Sequence, residues 1–196
     1  LFGAMITGWR EEFGQGDFPF LFVQIAPWDY RGIPSWPAGG APVVRDAQRK
    51  TLALPKTGMV VTTDIGNVQD IHPKNKQEVG RRLGLAARAI AHGEELVHSG
   101  PLFKSVAFKD GKAIVSFDHV GGGLMAKGDA LTHFQVAGAD GKFVDAEASI
   151  EGDRIVVHSD MVPKPQAVRF GFSDVAEPNL FNKEGLPASP FRTDGE

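Results

Sequence analysis

Apolar positions divide the chain into two regions of different rhythm. In the first, Met5, Ile6 and Trp9 fall on one face of an opening helix that stops near Phe13-Gly14-Gln15-Gly16. A nearly continuous apolar run follows, from Phe18 to Ala26, bounded by glycine- and proline-containing loops, which predicts a strand buried on both faces of a parallel sheet. Pro27 to Pro42 reads as a long loop rich in Pro, Gly and Trp, and Val43 to Leu54 as a short helix. Gly58 to Thr63 is a second buried strand, followed by the polar loop Asp64 to Pro73. Val79, Leu83, Ala86 and Ile90 then share one face of a helix from about Asn75 to Ala91, which Gly93 stops. Strand, loop and helix in this order predict an α/β domain over residues 1–98, with ligands beyond the carboxyl ends of its strands.

The second region, residues 99–196, alternates with a period of two in short segments. Ala107 to Asp110, Lys112 to Asp118, Leu131 to Ala137, Ala146 to Ile150, Arg154 to His158 and Ala167 to Phe172 read as strands. Turns such as Asp110-Gly111, Asp140-Gly141 and Gly152-Asp153 separate them, the pattern of an antiparallel β-sandwich with a C-terminal tail.

Composition narrows the function classes. A net charge of −3 gives no reason to expect a nucleic acid as partner, and no apolar run approaches the roughly 18 residues of a membrane span. Zero cysteines exclude a disulfide framework and thiolate metal sites, and His92, His98, His133 and His158 lack metal-ligand spacing. Gly121-Gly122-Gly123 reads as a turn, since no helix signature or Lys-Ser/Thr pair follows it.

Candidate chemistry concentrates in Asp70-Ile71-His72-Pro73, which puts a carboxylate two residues from an imidazole where the chain leaves a strand. A serine esterase needs such a base, oriented by a carboxylate that stabilises the imidazolium as it forms. Trp28, Tyr30 and Trp36 in the long loop are candidates for a sugar-stacking wall or for ordinary loop packing. Arg45 and Gln48 share a helix face, within reach of a substrate or on a solvated surface. Asp64 can shape the site's floor or serve a turn, and Asp118-His119 repeats the Asp/His theme within a strand-end hydrogen bond.

Blocks along the chain resemble the sialate O-acetylesterase family in order. They include Met5-Ile6-Thr7-Gly8-Trp9-Arg10, Phe13-Gly14-Gln15-Gly16-Asp17-Phe18, Val23-Gln24-Ile25-Ala26-Pro27 and Arg45-Asp46-Ala47-Gln48. Thr62-Thr63-Asp64-Ile65-Gly66, Asp70-Ile71-His72-Pro73-Lys74-Asn75-Lys76, Ser116-Phe117-Asp118-His119 and Gly185-Leu186-Pro187-Ala188-Ser189-Pro190 continue the series. The resemblance implies the C-terminal part of an SGNH-hydrolase three-layer parallel-sheet domain followed by the antiparallel sandwich. It also implies a carbohydrate O-acetylesterase in which His72 is the base and Asp70 its acidic partner. The common arrangement places Asp three residues before His, a position held here by Gln69.

No serine of the chain sits in the family's nucleophile block or in a Gly-X-Ser-X-Gly elbow. The resemblance therefore implies a nucleophilic serine, and oxyanion donors, on a segment upstream of Leu1 or on a separate chain. Residues 1–98 hold too few strands for a closed sheet, so Leu21 to Ile25 and Val60 to Thr62 are expected to lie bare unless something else covers them. The start without Met is read as a processed or truncated product, or a subunit of a nicked protein. Expected partners are an acetylated carbohydrate and the serine-bearing segment, with no membrane and no metal or organic cofactor; a bacterial-type periplasmic or secreted location is expected. An acetylxylan or general carbohydrate esterase is the alternative within the class, and a non-catalytic carbohydrate-binding or interaction module the alternative outside it.

Overall fold

A computed structural model of the chain describes residues 1–33 and 39–195. It is an α/β structure with several antiparallel sheets. Helix α1 (Phe2–Phe13) ends at Gly14, whose φ of 62° lets its N–H turn back to the carbonyls of Arg10 and Glu11. Strand β1 (Phe20–Val23) pairs in parallel with β2 (Thr57–Val60), Phe20 opposite Thr57 and Val23 opposite Val60. Helix α2 (Gly40–Lys50) and a 3-10 turn at Thr51–Ala53 lie between them in sequence, and α3 (Lys76–Ile90) follows β2. α2 begins three residues before the expected Val43 because Pro42 falls in its first turn, where a missing N–H costs nothing.

Both strands are shorter than their apolar runs. Beyond Val23 only side chains and single main-chain bonds continue the pairing: Gln24 N–H donates to Val60 O at 2.8 Å and Thr62 Oγ1 to Gln24 O at 2.9 Å. The expectation that Val60 to Thr62 would lie bare is corrected: Val60, Val61 and Thr62 are 3%, 5% and 3% exposed. Arg82 of α3, His98 to Gly100 and the Leu186-Pro187 segment crowd around this stretch. On β1 Phe22 and on its continuation Gln24 are likewise buried, at 8% and 1%, while Val23 is 37% exposed. Gly58 lets α3 approach the sheet, since a Cβ there would meet Ile90 Cδ1 at 2.4 Å and Leu21 Cδ2 at 2.8 Å.

Ten strands follow: β3 (Leu102–Lys109), β4 (Lys112–Asp118), β5 (Leu124–Ala126), β6 (Phe134–Ala137), β7 (Val144–Asp145), β8 (Glu147–Glu151), β9 (Arg154–His158), β10 (Ala167–Phe170), β11 (Leu180–Asn182) and β12 (Phe191–Arg192). They form antiparallel sheets in the orders β3-β4-β9-β8, β12-β10-β6-β7 and β11-β5. The first two share one core: Val115, Phe117, Ile155 and Val157 from one sheet meet Phe134, Val136, Phe170 and Phe191 from the other. Phe103 stacks on Phe191 at 4.6 Å between ring centres. β3 starts five residues before the expected Ala107, pairing back to Leu102 opposite Asp118 through an irregularity between Phe103 and Ser105.

The C-terminal tail returns to the first region. Gln24 Nε2 donates to Ser189 Oγ at 3.0 Å and to Arg45 O at 3.1 Å. Gly100 passes beside this tail so closely that a Cβ would meet Pro187 O at 2.1 Å.

Candidate active site

The loop between β2 and α3 is built from short polar turns in series. Asn67 Oδ1 accepts the Gln69 N–H at 3.0 Å and Asp70 Oδ1 accepts the His72 N–H at 2.9 Å. Asn75 Oδ1 then accepts the Glu78 N–H at 3.2 Å and caps α3. Each is a side chain mimicking a turn of backbone, which is why Asn and Asp recur at these positions. The result holds the His72 imidazole Nδ1 3.5 Å from Asp70 Oδ1. That separation is longer than an ordinary N–H···O bond, and the same carboxylate oxygen is already held by the His72 main chain. His72 is 86% exposed at its side chain and Asp70 47%. The two groups named from sequence are thus brought together at a parallel strand's carboxyl end, with the imidazole open to an incoming group.

A cleft of about 380 Å³ lies alongside, lined by Val23, Ile25, Thr62, Ile71, Pro73 and Val79, the two neighbours of His72 among them. The stem of the loop is fixed by Asp64, whose two oxygens accept from Arg82 Nη1 and Nη2, both at 2.7 Å. Chelation by Arg81 first and Arg82 after it, against the opposing pull of burial, holds the Glu78 carboxyl down at about 2.

The aromatic loop joins this loop where Asp29 N–H donates to Val68 O at 3.0 Å. Trp28 and Tyr30 meet edge-on at 4.9 Å between ring centres. Trp28 is half-buried, but Tyr30 is 4% exposed, which favours loop packing over the sugar-stacking alternative at this position. Burial, which also pushes its phenol pKa up, places it in the core. Trp36 lies outside the described residues.

Arg45 and Gln48 are corrected as well. Arg45 is 0% exposed, and its guanidinium donates to the carbonyls of Ile25, Ala26, Ser173 and Asp174 at 2.7–3.1 Å. Burial pushes its pKa down to about 10, still cationic at neutral pH. Gln48 Oε1 accepts from Ile25 N–H at 2.9 Å and its Nε2 donates to Val23 O at 3.2 Å, so its amide occupies the edge of β1 as a strand residue would. Arg45 is thus committed to main-chain carbonyls, while Gln48 makes one main-chain bond from each end of its half-buried amide.

Sequence reasoning missed Arg82 and Asp174. Arg82 stands three residues after Val79 and four before Ala86, on the apolar stripe of α3, and a charge on such a stripe signals a buried partner. Asp174 carries no comparable signal; its Oδ1 accepts from Ala41 N–H and its carbonyl from Trp28 N–H. Among the described residues no cluster of three or more His, Cys, Asp and Glu side chains gathers as a metal site.

No protein-family model matches the chain. It is 35% identical to sialate O-acetylesterase of Rattus norvegicus over 124 residues, covering 54% of this chain and 22% of that protein. Against the Homo sapiens sialate O-acetylesterase it is 32% identical over 136 residues, covering 60% of this chain and 25% of the other. The chain thus spans about a quarter or less of the length of these relatives. A crystal structure of a carbohydrate acetylesterase from Xanthomonas citri superposes with a TM-score of 0.93 at 49% identity, over 100% of this chain and 45% of that one. The chain is therefore a homologue of the sialate O-acetylesterases and of a bacterial carbohydrate acetylesterase.

Proposed function

We propose that this chain is the base-bearing portion of a carbohydrate O-acetylesterase that works by a Ser-His-Asp mechanism. The observation that carries the reading is the Asp70–His72 pair, held together at the carboxyl end of β2 in a chain 49% identical throughout to a carbohydrate acetylesterase. On this reading residues 1–98 contribute to an SGNH-type catalytic domain, and residues 99–196 form an accessory β-sandwich. Ser99 and Ser189 are buried with hydroxyls on main-chain carbonyls, which fits a nucleophile placed outside these 196 residues.

The serine attacks the acetyl carbonyl, and His72 takes its proton and returns it to the departing sugar oxygen. Asp70 orients the imidazole and stabilises its cation, while donors outside this chain hold the tetrahedral oxyanion. Water then releases acetate by the same route. The cleft beside Ile71 and Pro73 offers the acyl group an apolar wall.

His72→Ala in the full-length enzyme should lower turnover of 4-nitrophenyl acetate by about 10⁴ or more, the cost of removing a triad member. Asp70→Asn should cost as much or less. A His72→Ala enzyme that keeps more than about a tenth of the activity would remove the assignment.

A further inference from the structure

Arg82 is a buried cation with a side chain 5% exposed, and its four hydrogen bonds reach three residues on both sides of the His72 loop. Nη1 donates to Val61 O at 2.7 Å, at the end of β2, and with Nη2 it grips Asp64 where the loop leaves the strand. Nε donates to Glu78 Oε1 at 2.8 Å, in the first turn of α3, which starts four residues after His72. One planar group therefore spans the entrance and exit of the segment that carries Asp70 and His72. We propose that Arg82 and Asp64 are a positioning pair, setting where the His72 imidazole stands relative to the substrate carbonyl. This rests on the reading of His72 as the base.

The geometry demands this particular side chain. A guanidinium presents donors in a rigid fork that matches a carboxylate and a neighbouring carbonyl together, whereas a lysine ammonium is a point charge on a flexible stem. Arg82→Lys keeps the charge and loses the fork. Asp64→Asn keeps the shape and one acceptor but replaces the other with a donor that faces Arg82 Nη. Neither residue lies on the imidazole, so each acts through the path of the backbone. A base displaced by about 1 Å loses on the order of a hundredfold in rate.

The test uses the full-length enzyme with Arg82→Lys, Asp64→Asn and the double variant, each with kcat, KM and Tm measured. Each single substitution should lower kcat by about ten- to a hundredfold while KM stays within about twofold. The double variant should lose little more than the worse single one, because the pair acts as a unit. Should Arg82→Lys fail to fold, Asp64→Asn alone decides. A lowered Tm with kcat unchanged would make the pair merely structural and overturn the inference. If His72→Ala abolishes activity while these variants keep kcat, the inference falls alone; if His72→Ala is active, the underlying reading falls with it.

Discussion

At Arg45 a positive charge sits at 0% exposure, its donors ending on carbonyls 19 and 20 residues away on one side and 128 and 129 on the other. Removing the cation would strip four partly buried carbonyls of their donors, and a polar group shielded from water without a partner is costly. Arg45→Met should destabilise the protein by about 3 kcal/mol or more, read from the urea midpoint at unchanged slope. The sequence identified the helix face but not its destination: a polar stripe looks the same whether it meets water or main-chain carbonyls folded in from far along the chain. The proximity of Asp70 and His72 was legible because it is local, two residues within one turn, whereas the role given to them came from the resemblance of the surrounding blocks. For Tyr30 the sequence left a sugar-stacking and a packing role open, since its 4% exposure is set by long-range packing.

Among elements, α3 was the most legible, its bounds within one residue of expectation at each end, because an apolar stripe and an Asn cap are both local signals. β5, β7, β11 and β12 left no trace in the sequence, being two or three residues long and unable to show a period. β1 and β2 showed as apolar runs longer than the strands, since burial continues where main-chain pairing stops. The seam between β2 and α3 gives a test. Gly58→Ala puts a methyl where Ile90 and Leu21 already stand, and should cost about 1–3 kcal/mol by overpacking. Adding Ile90→Val should recover part of that loss in the same unfolding measurement; equal stability of the wild type and Gly58→Ala would show that α3 is not seated at contact distance.

At the scale of the molecule, the order of an α/β region before an all-β region was readable, but the joint between them was not. His98 and His119 meet there, their rings 5.3 Å apart and nearly perpendicular. Partial burial first, and then His98, push the His119 pKa below its ordinary 6.5, while Asp118 opposes the shift. A histidine that binds its proton less readily folded than unfolded costs stability as pH falls from about 6.5 towards the lowered value, and nothing above 6.5. The melting temperature should therefore decline over that window. His119→Asn should flatten the decline while tolerating the left-handed φ of 60° at this position; an unchanged pH slope would refute the link.

The returning tail also imposes an order in time. During synthesis, Gln24 and Arg45 leave the ribosome long before their partners Ser173, Asp174 and Ser189, which lie 128 to 165 residues later. At roughly 5–20 residues per second, that delay is on the order of 10 s. Through it the nascent strand pair keeps a charge and an amide at its centre with their distant acceptors not yet made. Of the two regions the earlier to emerge is thus the later to close, and a chaperone that holds nascent chains would find a long-lived target around β1 and α2.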